Sequence, residues 1–184
     1  YHIRKEINNA LNQTNRIDYL KSLDMELDIK SINKYSEQRV IQLFHKTNQF
    51  NMTGVVYTHQ EINDLDKQRT IFSVSIKDRL GSDEIIGAIV VRFLLDSAVI
   101  DNFVLSCRVL GRDIEYAVLS TLCKYFNNDY LNNIGTVKET DRNAPARCVY
   151  KNYGFKEHKD NTYILPTKGC NHDSVDIFSR IDIL

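Results

Sequence analysis

Hydrophobic and polar positions follow two periods along this chain. Met25, Leu27 and Ile29 alternate with Glu26, Asp28 and Lys30, which predicts a half-buried strand over Met25–Ile32. Thr70–Lys77 alternates Phe72, Val74 and Ile76 with Ile71, Ser73 and Ser75, a second strand. Asp78–Asp83 supplies a turn and Glu84–Phe93 returns, so these two form a hairpin. Ser97–Ser106 is apolar on both faces, which predicts a central strand. Ile134–Lys138 predicts a further strand, and Phe155 onward pairs with Tyr163–Leu165. Between the strands the period is helical. Ile3, Ile7, Ala10 and Leu11 mark one helix, and a short second one has Asn15 as N-cap with Ile17, Leu20 and Leu23 inward. Tyr35–Phe50 and Ile114–Phe126 are amphipathic helices, and Thr58 with Glu61 forms a capping box for a short helix between them. Asn143–Tyr153 is the last helix, with Pro145 in its first turn and Gly154 as its stop. The order predicts a mixed, mostly antiparallel sheet flanked by helices, class α+β.

At 184 residues the chain is one domain. Residues 1–24 read as a helical arm or linker from an upstream domain, and 25–184 as the domain itself. The start at Tyr1, without a signal peptide, is expected of a piece of a longer protein. Hydrophobic residues at 42% and charged residues at 26% exclude a wholly disordered or collagen-like chain. Lys plus Arg and Asp plus Glu both number 24 and form no basic stripe, which argues against a nucleic-acid or membrane-surface partner. The longest apolar run, Ile85–Leu95, is interrupted by Gly87 and Arg92 and is too short to span a bilayer. Cys107, Cys123, Cys148 and Cys170 show no Cys-x-x-Cys spacing, so a zinc site is not expected and reduced thiols in a cytoplasmic protein are. Cys107 and Cys123 read as packing residues. The five histidines share no spacing, and none is assigned to catalysis or metal.

The chemically informative segment is Ser106–Arg112, which joins a central strand to a helix. Such a junction presents backbone N–H groups at a helix N-terminus, where an anion can sit, and Gly111 lets a phosphate approach the backbone. From this segment alone an anion site and an ordinary turn both remain open. Asn143 and Tyr150 lie seven residues apart, so two helical turns place them on one face.

In their order along the chain, Arg108-x-x-Gly111-x, Asn143-Ala144-Pro145, Tyr150 and Gly154-Phe155 resemble the pyrophosphate loop, last helix and following strand of GNAT acyltransferases. Lys46–Asn51, Ile100-Asp101, Ser106–Arg112 and Asn143–Pro145 together resemble the C-terminal GNAT-like domain of FkbH-type proteins, over about Tyr19 to Phe155. That family carries a HAD-like domain upstream and is associated with loading a glyceryl unit onto an acyl carrier protein for methoxymalonyl-type extender units. The resemblance implies a GNAT-like fold and an acyl carrier protein and an upstream HAD-like domain as partners. It further implies coenzyme A, acyl-CoA or a phosphopantetheine thioester in the gap where the central strands splay. Arg108, Val109, Leu110, Gly111, Arg112, Asp113 and Asn143 would then hold the cofactor. Tyr150 would be the acid for the departing thiolate, and Asp101 the general base.

Each role has a plain alternative: a core tyrosine, a carboxylate satisfied by Asn102 or a lysine, and surface ion pairs of Arg108 or Arg112 with Asp113 or Glu115. Asp101 in an apolar strand is expected to have a raised pKa, which suits a base. Cys107, just before a helix N-terminus, could carry an acyl group, or be a small buried residue. Thr47, Asn48, Gln49 and Asn51 could bind a polar acyl unit or acceptor, or be a well-bonded loop. Two departures from the family pattern stand out. Asp113 replaces a Gly or Ala, where its charge would repel a pyrophosphate if turned toward it. Gly54-Val55-Val56 stands where the family tends to be basic. A catalytically silent module that docks a carrier protein or braces the upstream domain is therefore the alternative function. An ordinary N-acetyltransferase on a small amine or peptide is the third.

Overall fold

A computed structural model describes residues 13–167 and 176–183; the first expected helix, over Ile3–Leu11, lies outside the described residues. Residues 13–22 are helical (α1). There follow β1 (Met25–Ser31), α2 (Glu37–Lys46), α3 (His59–Asn63), β2 (Arg69–Lys77), β3 (Asp83–Phe93) and β4 (Ser97–Leu105). The second half runs α4 (Ile114–Phe126), β5 (Asn132–Thr136), α5 (Ala144–Arg147), α6 (Val149–Tyr153), β6 (Lys156–Glu157), β7 (Thr162–Pro166) and β8 (Phe178–Ile183). The strands form one eight-stranded sheet in the order β6-β7-β5-β4-β3-β2-β1-β8. Among the described residues only β4–β5 and β1–β8 pair in parallel.

The sheet is covered on both faces. On one, Met25, Leu27, Phe72, Val74, Ile89 and Ile100 pack against Leu20 and Leu23 of the N-terminal segment and against α4 and α6. On the other, Ile71, Ala88, Val90 and Val104 pack against Val40 and Phe44 of α2 and Ile62 of α3. This two-sided burial is why β4 reads as apolar throughout.

Several expected boundaries move. Asn15 lies inside α1 rather than capping it, and Ile17 is 41% exposed while Leu20 and Leu23 are buried. The helix expected over Tyr35–Phe50 ends at Lys46, which frees the following turn to bridge β4 at Asn51 opposite Val104. The last expected helix is two short ones broken at Cys148. The capping box at Thr58 and Glu61 is present with both of its hydrogen bonds. β8 was not anticipated, although Phe178–Ile183 carries enough apolar side chains to extend the sheet beside β1.

Candidate functional site

β4 and β5 pair only from Ser97–Asn132 to Ile100–Gly135 and then part. A β-bulge marks the point of departure. Val90 opposes Asn102 and Val91 opposes Ile100, which leaves Asp101 without a counterpart on β3. The bulge turns the Asp101 carboxylate onto two guanidinium groups. Arg92 grips it from Nε and Nη2 at 2.8–3.2 Å and Arg69 Nε donates at 3.1 Å. The expected apolar surroundings of Asp101 are thus corrected: its oxygens face cations supplied by β2 and β3, a partnership no local pattern announces.

Beyond the departure point the wedge is filled by the chain itself. Met52 N–H donates to Phe103 C=O at 3.0 Å and Leu105 N–H donates to Phe50 C=O at 3.0 Å. On the other side Lys138 N–H donates to Met52 C=O at 2.9 Å. Asn143, fully buried before α5, ties this arrangement together. Its Nδ2 donates to the carbonyls of Asn51, Met52 and Lys138, and its Oδ1 accepts from Thr140 N–H. Asn143 was expected to hold a cofactor; here its amide is engaged with backbone, since a buried amide must be satisfied within the protein.

In front of the wedge lies a cleft of about 270 Å³ lined by Thr47, Asn48, Asn51, Gly54, Val56, Thr140, Asp141 and Arg142. Three of the four expected substrate residues are among them; Gln49 is exposed outside that lining. The Asn51 side chain closes a local turn, its Oδ1 accepting from Gly54 N–H and its Nδ2 donating to Val55 C=O. Arg142 brings to the cleft a positive charge that Gly54-Val55-Val56 does not.

Tyr150 stands behind the wedge, wholly buried on α6. Its ring lies so close to Gly135 of β5 that a Cβ there would be 2.4 Å from Tyr150 Cζ. Among the described residues its hydroxyl has no hydrogen-bond partner, and burial pushes its pKa upward, with lesser contributions from Cys123 and Asp101.

The strand-to-helix segment forms a 3-10 turn (Cys107–Val109), then Gly111 at φ +83° and Asp113 at φ +57° before α4. Val109 is buried as packing and Leu110 lies partly buried against the core. Arg108 is largely exposed, with one long 3.4 Å contact to Glu84. Arg112 is paired with Asp78 at 2.7 Å, a carboxylate fully shielded from solvent. Neither arginine uses the expected partners Asp113 or Glu115. Asp113 is instead held bidentately by Arg16 of α1 at 2.7 and 2.8 Å, and Arg16 also donates to Gly111 C=O at 2.9 Å. Burial, helped by nearby Asp113, raises the pKa of Glu115 in the first turn of α4. Cys107 is exposed, not the packing residue expected; Cys123 is buried. Sequence reasoning missed Arg16 and Asp78, whose roles depend on partners 97 and 34 residues away.

No protein-family model matches the chain, and no curated protein matches it. Solved structures do. An acetyltransferase from Thermus thermophilus superposes with TM-score 0.61 at 16% identity, over 78% of this chain and 99% of that one. The ribosomal-protein-S18-alanine N-acetyltransferase from Escherichia coli gives 0.58 at 13% identity, covering 80% and 97%. Spermidine N-acetyltransferase from Vibrio cholerae, solved with CoA and spermine, gives 0.57 at 13%, covering 78% and 97%. The layered sheet, the parting of β4 and β5 and the glycine turn before α4 thus belong to an α+β domain with the fold of the GNAT acetyltransferases.

Proposed function

We propose that this domain transfers a small acyl unit carried on a phosphopantetheine thiol, of coenzyme A or of an acyl carrier protein. The observation that carries the reading is the Tyr150 hydroxyl, buried without a partner among the described residues behind the β4–β5 wedge. A buried hydroxyl left unpaired is costly, and a group entering the wedge would satisfy it. Coenzyme A or a carrier's prosthetic arm would supply the acyl thioester there. Arg108 and the backbone N–H groups of Gly111 and Asp113 are the groups that would hold its phosphates, Arg112 N–H being engaged with Val109 C=O. With its pKa raised, Tyr150 keeps its proton and serves as donor. Asp101, gripped by Arg92 and Arg69, anchors the bulge in this reading rather than taking a proton. The polar cleft would receive the acyl unit or its acceptor.

The FkbH-type resemblance supports a glyceryl-type unit and a carrier protein as the finer assignment, with the HAD-like domain as a partner. The silent docking module is favoured by one observation, the filling of the wedge by Phe50–Met52. Calorimetric titration of coenzyme A, followed by acyl transfer from a loaded carrier protein, tests the first reading. Carrier-protein binding with no coenzyme A uptake and no transfer would establish the second.

A further inference from the structure

The polar groups that line the open end of the wedge are already in use. The edge of β4 that β5 abandons presents Phe103 C=O and Leu105 N–H, and both are taken by the backbone of Phe50–Met52. The segment forms an antiparallel bridge at Asn51 opposite Val104. It places its own peptide groups where an entering arm with two amides would place its own. An entering arm can replace the two bonds to β4, but moving the segment also gives up the bonds that Lys138 N–H and Asn143 Nδ2 make to the Asn51 and Met52 carbonyls, so hydrogen bonding favours the filled form. Burial favours it as well. Phe50 is 1% exposed, Met52 is fully buried, and the Phe50 ring stands edge-on to Phe103 at 5.3 Å. Moving the segment aside exposes two large apolar side chains, so the filled form dominates.

We propose that Phe50–Met52 is a strap that closes the β4–β5 wedge and must leave the β4 edge before a pantetheine arm can bind. The inference rests on the thioester reading above. Apparent affinity is then the intrinsic affinity scaled down by the small open fraction. Phe50 sets that fraction through the apolar contact of its buried ring with Phe103.

Two measurements on the chain test this. Coenzyme A is titrated into the wild type, Phe50→Ala and the milder Phe50→Leu, with the thermal transition of each recorded. Affinity is expected to rise in the order wild type, Leu, Ala, by at least about tenfold overall. Amide exchange is followed in the wild type with and without saturating coenzyme A. Exchange at Met52 should accelerate at least about tenfold on binding while Leu105 stays protected, its N–H passing to a new acceptor. This second readout holds even where Phe50→Ala fails to fold. Binding that leaves Met52 as protected as before overturns the strap and leaves the thioester reading standing. Wild type, Phe50→Leu and a folded Phe50→Ala all failing to take up millimolar coenzyme A overturns both.

Discussion

Arg16 grips Asp113 through both carboxylate oxygens, at 2.7 and 2.8 Å, across 97 residues of sequence. The acid that departs from the acyltransferase pattern thus meets a countercharge supplied by the N-terminal helix. The same guanidinium donates to Gly111 C=O, so one side chain both neutralises Asp113 and braces the turn before α4. The repulsion that Asp113 would exert on a phosphate is offset in place.

Arg16→Ala should therefore act on anion binding more than on folding. The Arg16 side chain is 45% exposed, so the loss of stability stays below about 1 kcal/mol. Coenzyme A affinity should fall about fivefold, and the Arg16→Ala, Asp113→Gly pair should recover it. Equal losses in the single and double variants by calorimetry would show that Arg16 acts independently of Asp113.

The Asp78 carboxylate has consequences for acid stability. Burial pushes its pKa upward, but hydrogen bonds from Ser82, Arg112 and Leu80 outweigh burial and hold it below its ordinary 3.8. A carboxyl whose folded pKa lies below its unfolded one stabilises the fold above the unfolded value. That contribution disappears as pH falls through the folded value. Urea midpoints should thus drop on acidification below about pH 4. Asp78→Asn should flatten that limb and cost about 3 kcal/mol at pH 7, because Arg112 loses its countercharge.

Tyr150→Phe separates stability from function. Removing a buried hydroxyl without a partner among the described residues should raise stability by about 1 kcal/mol, read from urea denaturation. Acyl transfer from a loaded carrier protein should fall at the same time. A destabilised Tyr150→Phe with unchanged transfer would place the hydroxyl in the fold rather than the chemistry.

Gly135→Ala should destabilise by about 1–3 kcal/mol. The new Cβ would lie 2.4 to 2.6 Å from ring atoms of Tyr150, which is rigid and enclosed. Tyr150→Phe should not rescue it, since the ring itself is the obstacle. Full rescue by that change would locate the conflict at the hydroxyl.

Asn143→Ala should cost at least about 2 kcal/mol in chemical denaturation, because buried carbonyls of Asn51, Met52 and Lys138 each lose a donor. A change within 0.5 kcal/mol, the usual limit for surface positions, would mean that these carbonyls find other partners.

What the sequence alone determined was local. The period-two runs from Arg69 to Leu105 and the helical run Ile114–Phe126 are written in consecutive residues, because strand and helix periodicity need only near neighbours. The capping box at Thr58 and the stop at Gly154, with its φ of +116°, were legible for the same reason. So was the turn through Gly111, which locates the segment that any anion would approach. Tertiary structure decided which charges meet and which gaps stay open. Arg16 with Asp113, Arg112 with Asp78, and Asp101 between Arg92 and Arg69 pair between neighbouring strands or between segments far apart in sequence. A charged side chain carries no local mark of its partner. Likewise Phe50–Met52 lies too far from β4 in sequence for any pattern to reveal that it takes the strand's free edge. That choice follows from folding, because an unpaired strand edge and an apolar segment each lower their free energy by meeting.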